Sequence, residues 1–309
     1  MKKIQLSGKA RKIVFVISAL IFAISLGTIV YLCFVEPYMN RSTINELEEI
    51  FYSSDDDNGE PDDNSRGDLS AITAINSDIK GWIKIKGTQV NNPVLQSPAT
   101  DSTYYLYRNY KKISSGFGSI FLDSLCSYEK PSKNLILYGH NMRDGSMFGN
   151  LLKYDNLDFY KAHPTIMFDT LKEQADWKII SIFKTNTLEK HGTIFDYIKM
   201  NFQKDKAFLN FVYEIKVRSL IDTPVDVGKN DHLITLSTCS YELDDFRTVV
   251  VARKVREGED IAVNVDEAKK AENPLMPAAY YTRYGGRAPV INGFDKDLKA
   301  GKLTWYVEQ

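Results

Sequence analysis

The sequence predicts a mainly β protein, an eight-stranded closed or nearly closed barrel, behind an N-terminal transmembrane helix. Three observations predict it. From Gly81 onward short β-rich runs succeed one another without regular strand-helix alternation, which argues against a doubly wound sheet. A stretch that is not β-like interrupts them before the last two strands, and an uncharged apolar run of 23 residues stands near the N-terminus.

That run, 13–35, is long enough at about 1.5 Å per residue to cross a hydrocarbon core of roughly 30 Å. A cleaved secretory signal is the alternative, but the run exceeds the usual h-region of about 7–15 residues and "YLCFVEPYMN" offers no small-x-small cleavage site. Lys2, Lys3, Lys9, Arg11 and Lys12 precede it, so residues 1–12 form a basic tail expected on the cytoplasmic side, and the chain after Glu36 is expected outside the cell.

Residues 36–68 read as a juxtamembrane helix and an acidic linker. Thr43 and Glu46 have capping-box spacing, with Ile44, Leu47 and Phe51 at helical intervals after it. "SSDDDNGEPDDNSRGD" carries acids, Pro and Gly but no large apolar residue to bury. The folded unit is expected over 69–257, opening with a helix that takes in Leu69, Ile72, Ile75 and Ile79.

The strands come next. "GWIKIKGT" alternates apolar and basic residues, and "VNNPVLQ" holds a proline suited to an edge or bulge. "GSIFLD", "NLILYGH", "PTIMFD" and "WKIISIFK" are short runs bounded by turn formers, and "HLITLSTC" and "RTVVVARKV" complete about eight. In the interruption, Ile194, Phe195 and Ile198, then Phe208, Phe211, Val212 and Ile215, keep a helical period and are expected as helix walling a cleft. Residues 258–309 are aromatic-rich, and part of them is expected to pack on the barrel.

With 309 residues, 43% hydrophobic and 26% charged, the chain can build one sizeable core, and a net charge of -1 makes no electrostatic case for nucleic acid. No metal-ligand spacing and no phosphate-cradling glycine loop occurs, so neither metal nor cofactor is expected.

Three cysteines occur: Cys33 in the span, Cys126 and Cys239. In an oxidising exterior a disulfide between the last two is the bland reading. The other is chemical. Cys239 ends a strand whose residues 235, 237 and 239 share one face, polar, opposite Ile234 and Leu236. A thiol with a pKa near about 8.5 needs a base or a cation beside it to be a nucleophile. His140, where "NLILYG" runs out into polar "NMRDGS", is the histidine in a matching strand-end context, whereas His163, His191 and His232 read as surface turns. Arg247 opens the next strand after a seven-residue connection, so an antiparallel hairpin sets guanidinium and thiol at one end. There it can hold a carbonyl and the oxyanion that sulfur attack creates. Pairing with Asp244 or Asp245 in its own loop is the competing role for this arginine.

"TLSTC" followed eight positions later by Arg247, with "LYGHN" placing His140 99 positions before the cysteine, resembles the signature of the sortases, membrane-anchored cysteine transpeptidases. The chain is similar to class B in its N-terminal helices, in "GWIKIKGTQVNNPVLQ" and "GHNMRDGSMFGNLLKY", and in the insertion before the cysteine strand. The resemblance implies a sortase-like barrel with Cys239 as nucleophile, His140 as general acid and base, and Arg247 as oxyanion clamp. It further implies that Asn91, Leu95 and Ser237 line the peptide groove and that the Ser240 N–H joins the oxyanion hole. The implied substrates are secreted proteins with a C-terminal NPxTx or (S/N)PxTG signal, cut after Thr, and the implied acceptor is an amine of the peptidoglycan cross-bridge or of lipid II.

Other readings stay open: an anchored thiol peptidase that only hydrolyses, a pilus-assembling member of the same family, or a surface protein that merely binds. An L,D-transpeptidase is a distant further one, its cysteine and arginine standing closer together. The binding reading expects a C-terminal sorting signal of its own, and "TWYVEQ" at the end offers no apolar tail or terminal cations.

Overall fold

A computed structural model describes residues 7–53, 65–127 and 130–309. Lys2, Lys3 and most of the acidic linker, 54–64, lie outside the described residues. The chain divides into two units, Met1–Glu46 and Leu47–Gln309.

In the first, α1 (Gly8–Val30) starts at Ser7, whose hydroxyl accepts from the Ala10 N–H at 3.3 Å, and passes through a π-helical turn, Tyr31–Val35, into α2 (Glu36–Tyr52). The run from Gly8 is the one helix among the described residues long and apolar enough to cross a membrane. No helix starts at Thr43, contrary to the capping-box reading: its hydroxyl donates to the Met39 carbonyl within continuous helix.

The second unit opens with Leu47, Phe51 and Tyr52 of α2 and Leu69 and Ile72 of α3 (Leu69–Ile75), all buried in one cluster. Phe51 stacks on Trp82 at 4.2 Å between centroids. Helix α3 ends at Ile75, and Ile79, expected within it, instead opens β1 (Ile79–Lys84). Then come β2 (Asn91–Gln96), β3 (Ile120–Leu122), β4 (Asn134–Tyr138), the short α4 (Leu157–Ala162), β5 (Thr165–Thr170) and β6 (Asp176–Asn186). Pro93 precedes the point, Val94, where β2 begins to pair with β3, so its missing N–H breaks no bond there.

The insertion is half helix. Helix α5 (Asp205–Lys216) buries Phe208, Phe211, Val212 and Ile215 as its period requires. Ile194 and Ile198, by contrast, are exposed on an irregular segment in which Phe195 and Tyr197, two apart, turn inward. The apolar spacing there is that of an alternating strip, anchored by the Asn134 N–H donating to the Met200 carbonyl at 2.9 Å.

A two-residue β7 (Ile221–Asp222) leads to β8 (Leu233–Ser240) and β9 (Phe246–Lys254), and β10 (Lys269–Lys270) returns to pair with β7. Eight strands close a barrel in the order β1-β2-β3-β4-β8-β9-β6-β5. The pairs β2–β3 and β4–β8 are parallel, the others antiparallel. Strand β8 is therefore paired on both sides. Its polar face bearing Thr235 and Ser237 is buried: Thr235 donates to the side chain of Asn134 on β4 at 2.8 Å, and Tyr197 of the insertion covers Ser237.

Beyond β9 the chain keeps packing. Arg253, 1% exposed, is held by Asp226 and Glu259, and α6 (Ala278–Tyr284) and α7 (Phe294–Lys299) come after it. Phe294 is buried in the α5 cluster with Trp305 and Tyr306 against it, and Tyr306 bridges to Val227.

Candidate active site

Cys239 and Arg247 are a register pair across β8 and β9. Cys239 is the one residue of β8 that is not fully covered. Along the other edge, Tyr138 of β4 pairs with Ser237 of β8. The parallel course continues past the strand end, where the Thr238 hydroxyl donates to the Gly139 carbonyl at 2.7 Å. His140 is two residues beyond Tyr138 and Cys239 two beyond Ser237, so the strands bring the backbone positions of His140, Cys239 and Arg247 to one rim of the barrel.

Gly139 lets that happen: a Cβ there would lie 2.9 Å from the Phe148 ring. The loop after His140 folds back so that the Phe148 N–H donates to the His140 carbonyl at 2.9 Å. The half-buried imidazole places Nε2 2.8 Å from the Leu106 carbonyl. A carbonyl only accepts, so Nε2 carries the proton and Nδ1 is left to exchange one. Burial lowers the His140 pKa, against the raising effect of that hydrogen bond, so the ring favours its neutral form.

The sulfurs are separate. Cys239 and Cys126 are both free, which removes the disulfide reading. Cys126 is buried under β4, where its sulfur accepts from the Ile136 N–H at 3.4 Å, and burial pushes its thiol up to about 12.

A cavity of about 580 Å³ opens at the rim, lined by Cys239, Arg247, Ser240, Glu242, His191 and Arg283 among others. Arg247 donates to the Phe246 carbonyl at 3.1 Å. Its competing role is not realised: Asp244 pairs with Lys190 at 3.4 Å, and no ion pair among the described residues joins Arg247 to Asp244 or Asp245. The connecting loop is held from below by Glu242, whose carboxylate accepts from the Ser240 hydroxyl and pairs with buried Lys184 at 2.7 Å. Burial would raise the Glu242 carboxyl, but those two hydrogen bonds and the lysine charge hold it below its ordinary value.

Ser237 is buried beside the nucleophile strand's end, and its hydroxyl meets that of Tyr197 at 2.8 Å. Burial raises the Tyr197 pKa, against Ser237 and the Arg247 charge, with Cys239 adding to the rise. Its bond to Ser237, two residues before Cys239, sets Tyr197 beside the end of the nucleophile strand, a neighbour the helical reading of its segment concealed. His191, read as a surface turn, also lines the cavity.

The structure does not bring Asn91 and Leu95 into this group. Asn91 accepts from the Trp82 indole at 2.6 Å and donates to Glu48, tying β2 to α2. Leu95 is 0% exposed in the cluster with Trp82 and Phe51, so it supports the barrel wall and offers a peptide no surface.

Residues 83–255 match the family model for the sortase domain. Sortase B of Listeria monocytogenes is 35% identical over 212 residues, 68% of this chain and 83% of that protein. Sortase B of Staphylococcus aureus is 32% identical over 225 residues, 72% of this chain and 88% of that one. Among solved structures, a Staphylococcus aureus sortase B–substrate complex superposes with a TM-score of 0.62 at 32% identity, covering 72% of this chain and 99% of that one. Bacillus anthracis sortase B in complex with AAEK1 gives 0.61 at 36%, with the same coverage.

Proposed function

The chain belongs to the sortase family, in its class B, and we propose that it is a cysteine transpeptidase that uses Cys239 as nucleophile, His140 as proton carrier and Arg247 as oxyanion clamp. The single observation that carries the assignment is the double register of β8, which pairs Cys239 with Arg247 on one side and runs level with His140 on the other.

In this reading the Cys239 thiol passes its proton to Nδ1 of His140, and the sulfur attacks the carbonyl carbon of the Thr in the sorting pentapeptide. The oxyanion is met by the Arg247 guanidinium and the Ser240 N–H. Nδ1 returns the proton to the leaving amine as the peptide bond breaks, and the cargo remains as a thioester. An acceptor amine then attacks that carbonyl, His140 takes its proton, and as the C–S bond breaks the imidazolium returns that proton to the sulfur, regenerating the thiol. Ser237, bonded to Tyr197, steadies the strand under the sulfur.

Secreted proteins with an NPxTx or (S/N)PxTG ending are the proposed cargo, and a peptidoglycan or lipid II amine the proposed acceptor. The Staphylococcus aureus sortase B is solved as a substrate complex, which supports a substrate-binding cleft on this fold. The apolar helix and the cations before it support a single-pass anchor with the barrel outside the cell. Residues 69–257 are proposed as the catalytic domain.

The test incubates the purified chain with a fluorogenic pentapeptide, with and without triglycine. Ligated product is expected; cleaved peptide that never takes up the amine would leave a hydrolase.

A further inference from the structure

The family match ends at residue 255, yet the chain beyond it returns to the cleft. The Leu275 N–H donates to the Val217 carbonyl at 2.8 Å, and α6 then meets the turn Glu189–His191. The fit is close: a Cβ on Gly192, whose φ of +115° already suits glycine, would lie 2.8 Å from the Ala278 Cβ. From the last turn of α6, Arg283 reaches the loop between the two catalytic strands and donates to the Glu242 carbonyl at 2.9 Å. Its guanidinium is exposed and lines the same cavity as Cys239.

The charges around that cavity are mostly spent. Lys190 is with Asp244, and Glu242 with Lys184 and Ser240. Asp245 is exposed on the rim, its carbonyl held by the Thr187 hydroxyl at 2.8 Å. Arg247 is assigned to the scissile carbonyl. Arg283 commits one N–H to a neutral carbonyl, and no ion pair among the described residues includes it. A guanidinium offers five donors in a fork matched to a carboxylate.

We propose that Arg283 is a specificity-determining residue, supplied by the C-terminal extension, that binds a carboxylate on the peptide segment entering the cleft beyond the scissile bond. The assignment rests on Cys239 being the reacting group. That carboxylate comes either from the leaving part of the sorting signal or from the acyl acceptor, and two arms separate them.

In both, the full-length Cys239→Ala chain in detergent is titrated by calorimetry, so that binding is read without turnover. One arm compares two sorting peptides alike except for Glu or Gln directly after the cleaved bond. The other compares triglycine with triglycinamide. In one arm the acidic ligand is expected to bind about tenfold tighter, the scale of one charge-assisted hydrogen bond. Adding Arg283→Gln brings that ratio near one, and Arg283→Lys keeps part of it. A purely structural role would weaken both ligands of a pair alike and preserve their ratio. No preference in either arm, or a preference that survives Arg283→Gln, overturns the proposal. Turnover persisting in Cys239→Ala would instead remove the nucleophile assignment, while the binding ratio would still judge Arg283.

Discussion

Cys239 and Arg247 face each other as one rung of an antiparallel ladder, with their backbones about 5 Å apart, one further rung, Ser240 with Phe246, above them and then the loop 241–245. Two side chains on the same rung are fixed by the strands themselves. If Cys239 is the nucleophile, as proposed, Arg247 starts from the facing position on the next strand, and a preorganised charge of that kind is what stabilises an oxyanion.

Cys239→Ala should abolish both cleavage and transfer while leaving the circular-dichroism spectrum and melting temperature close to the parent's. Arg247→Gln should keep the thiol reactive but lower kcat by about 10²–10³, the usual loss for one oxyanion donor. A Gln variant within threefold of the parent would remove the arginine from the transition state.

Alkylation should separate the thiols. Cys126 is buried and its thiol is pushed up to about 12, so almost none is thiolate at neutral pH, whereas Cys239 opens into the cavity. Iodoacetamide on the native chain, followed by digestion and peptide mass analysis, should modify Cys239 and leave Cys126 until denaturant is added. Native labelling of both at equal rates would contradict this burial.

Much of this site was legible because its logic is local. An apolar strand that ends in cysteine, and another that begins with arginine a hairpin later, imply their own juxtaposition. His140 was findable as a strand end, but its place level with Cys239 depends on the parallel β4–β8 pairing, which joins segments some hundred residues apart and leaves no periodicity in either. Tyr197 and His191 were hidden for a related reason. Over a few residues, Ile194, Phe195 and Ile198 satisfy a helical period, while the fold uses the Phe195–Tyr197 alternation, decided by the cluster they fill. Leu95 shows the converse: a likeness of motif pointed to a groove, and packing under α2 takes the side chain into the core.

Tyr197→Phe tests the buried hydroxyl pair. It leaves the Ser237 hydroxyl without its partner in a covered site, at a cost of about 1–3 kcal/mol. Chemical denaturation should show a lower midpoint with an unchanged slope. Because Ser237 lies two residues before the nucleophile, kcat should fall with little change in KM. Equal stability of the two proteins would show that the pair contributes nothing.

Glu242 links loop stability to acid. Its carboxyl is held below the ordinary value of about 4.5, so the folded chain gives up this proton more readily than the unfolded one. The stabilisation is present in full above the unfolded pKa and is lost as pH falls through the folded pKa. Thermal melts from pH 7 down should therefore lose stability below about 4.5. Glu242→Gln should be less stable at pH 7, by about 1–2 kcal/mol for a half-exposed carboxylate, since Lys184 remains covered and keeps only its bond to Thr248. The variant should also lose less on acidification, so that the two curves converge. If they stay parallel down to pH 3, Glu242 is not the group that titrates, and the Lys184–Glu242 pair is not what holds the loop over Ser240.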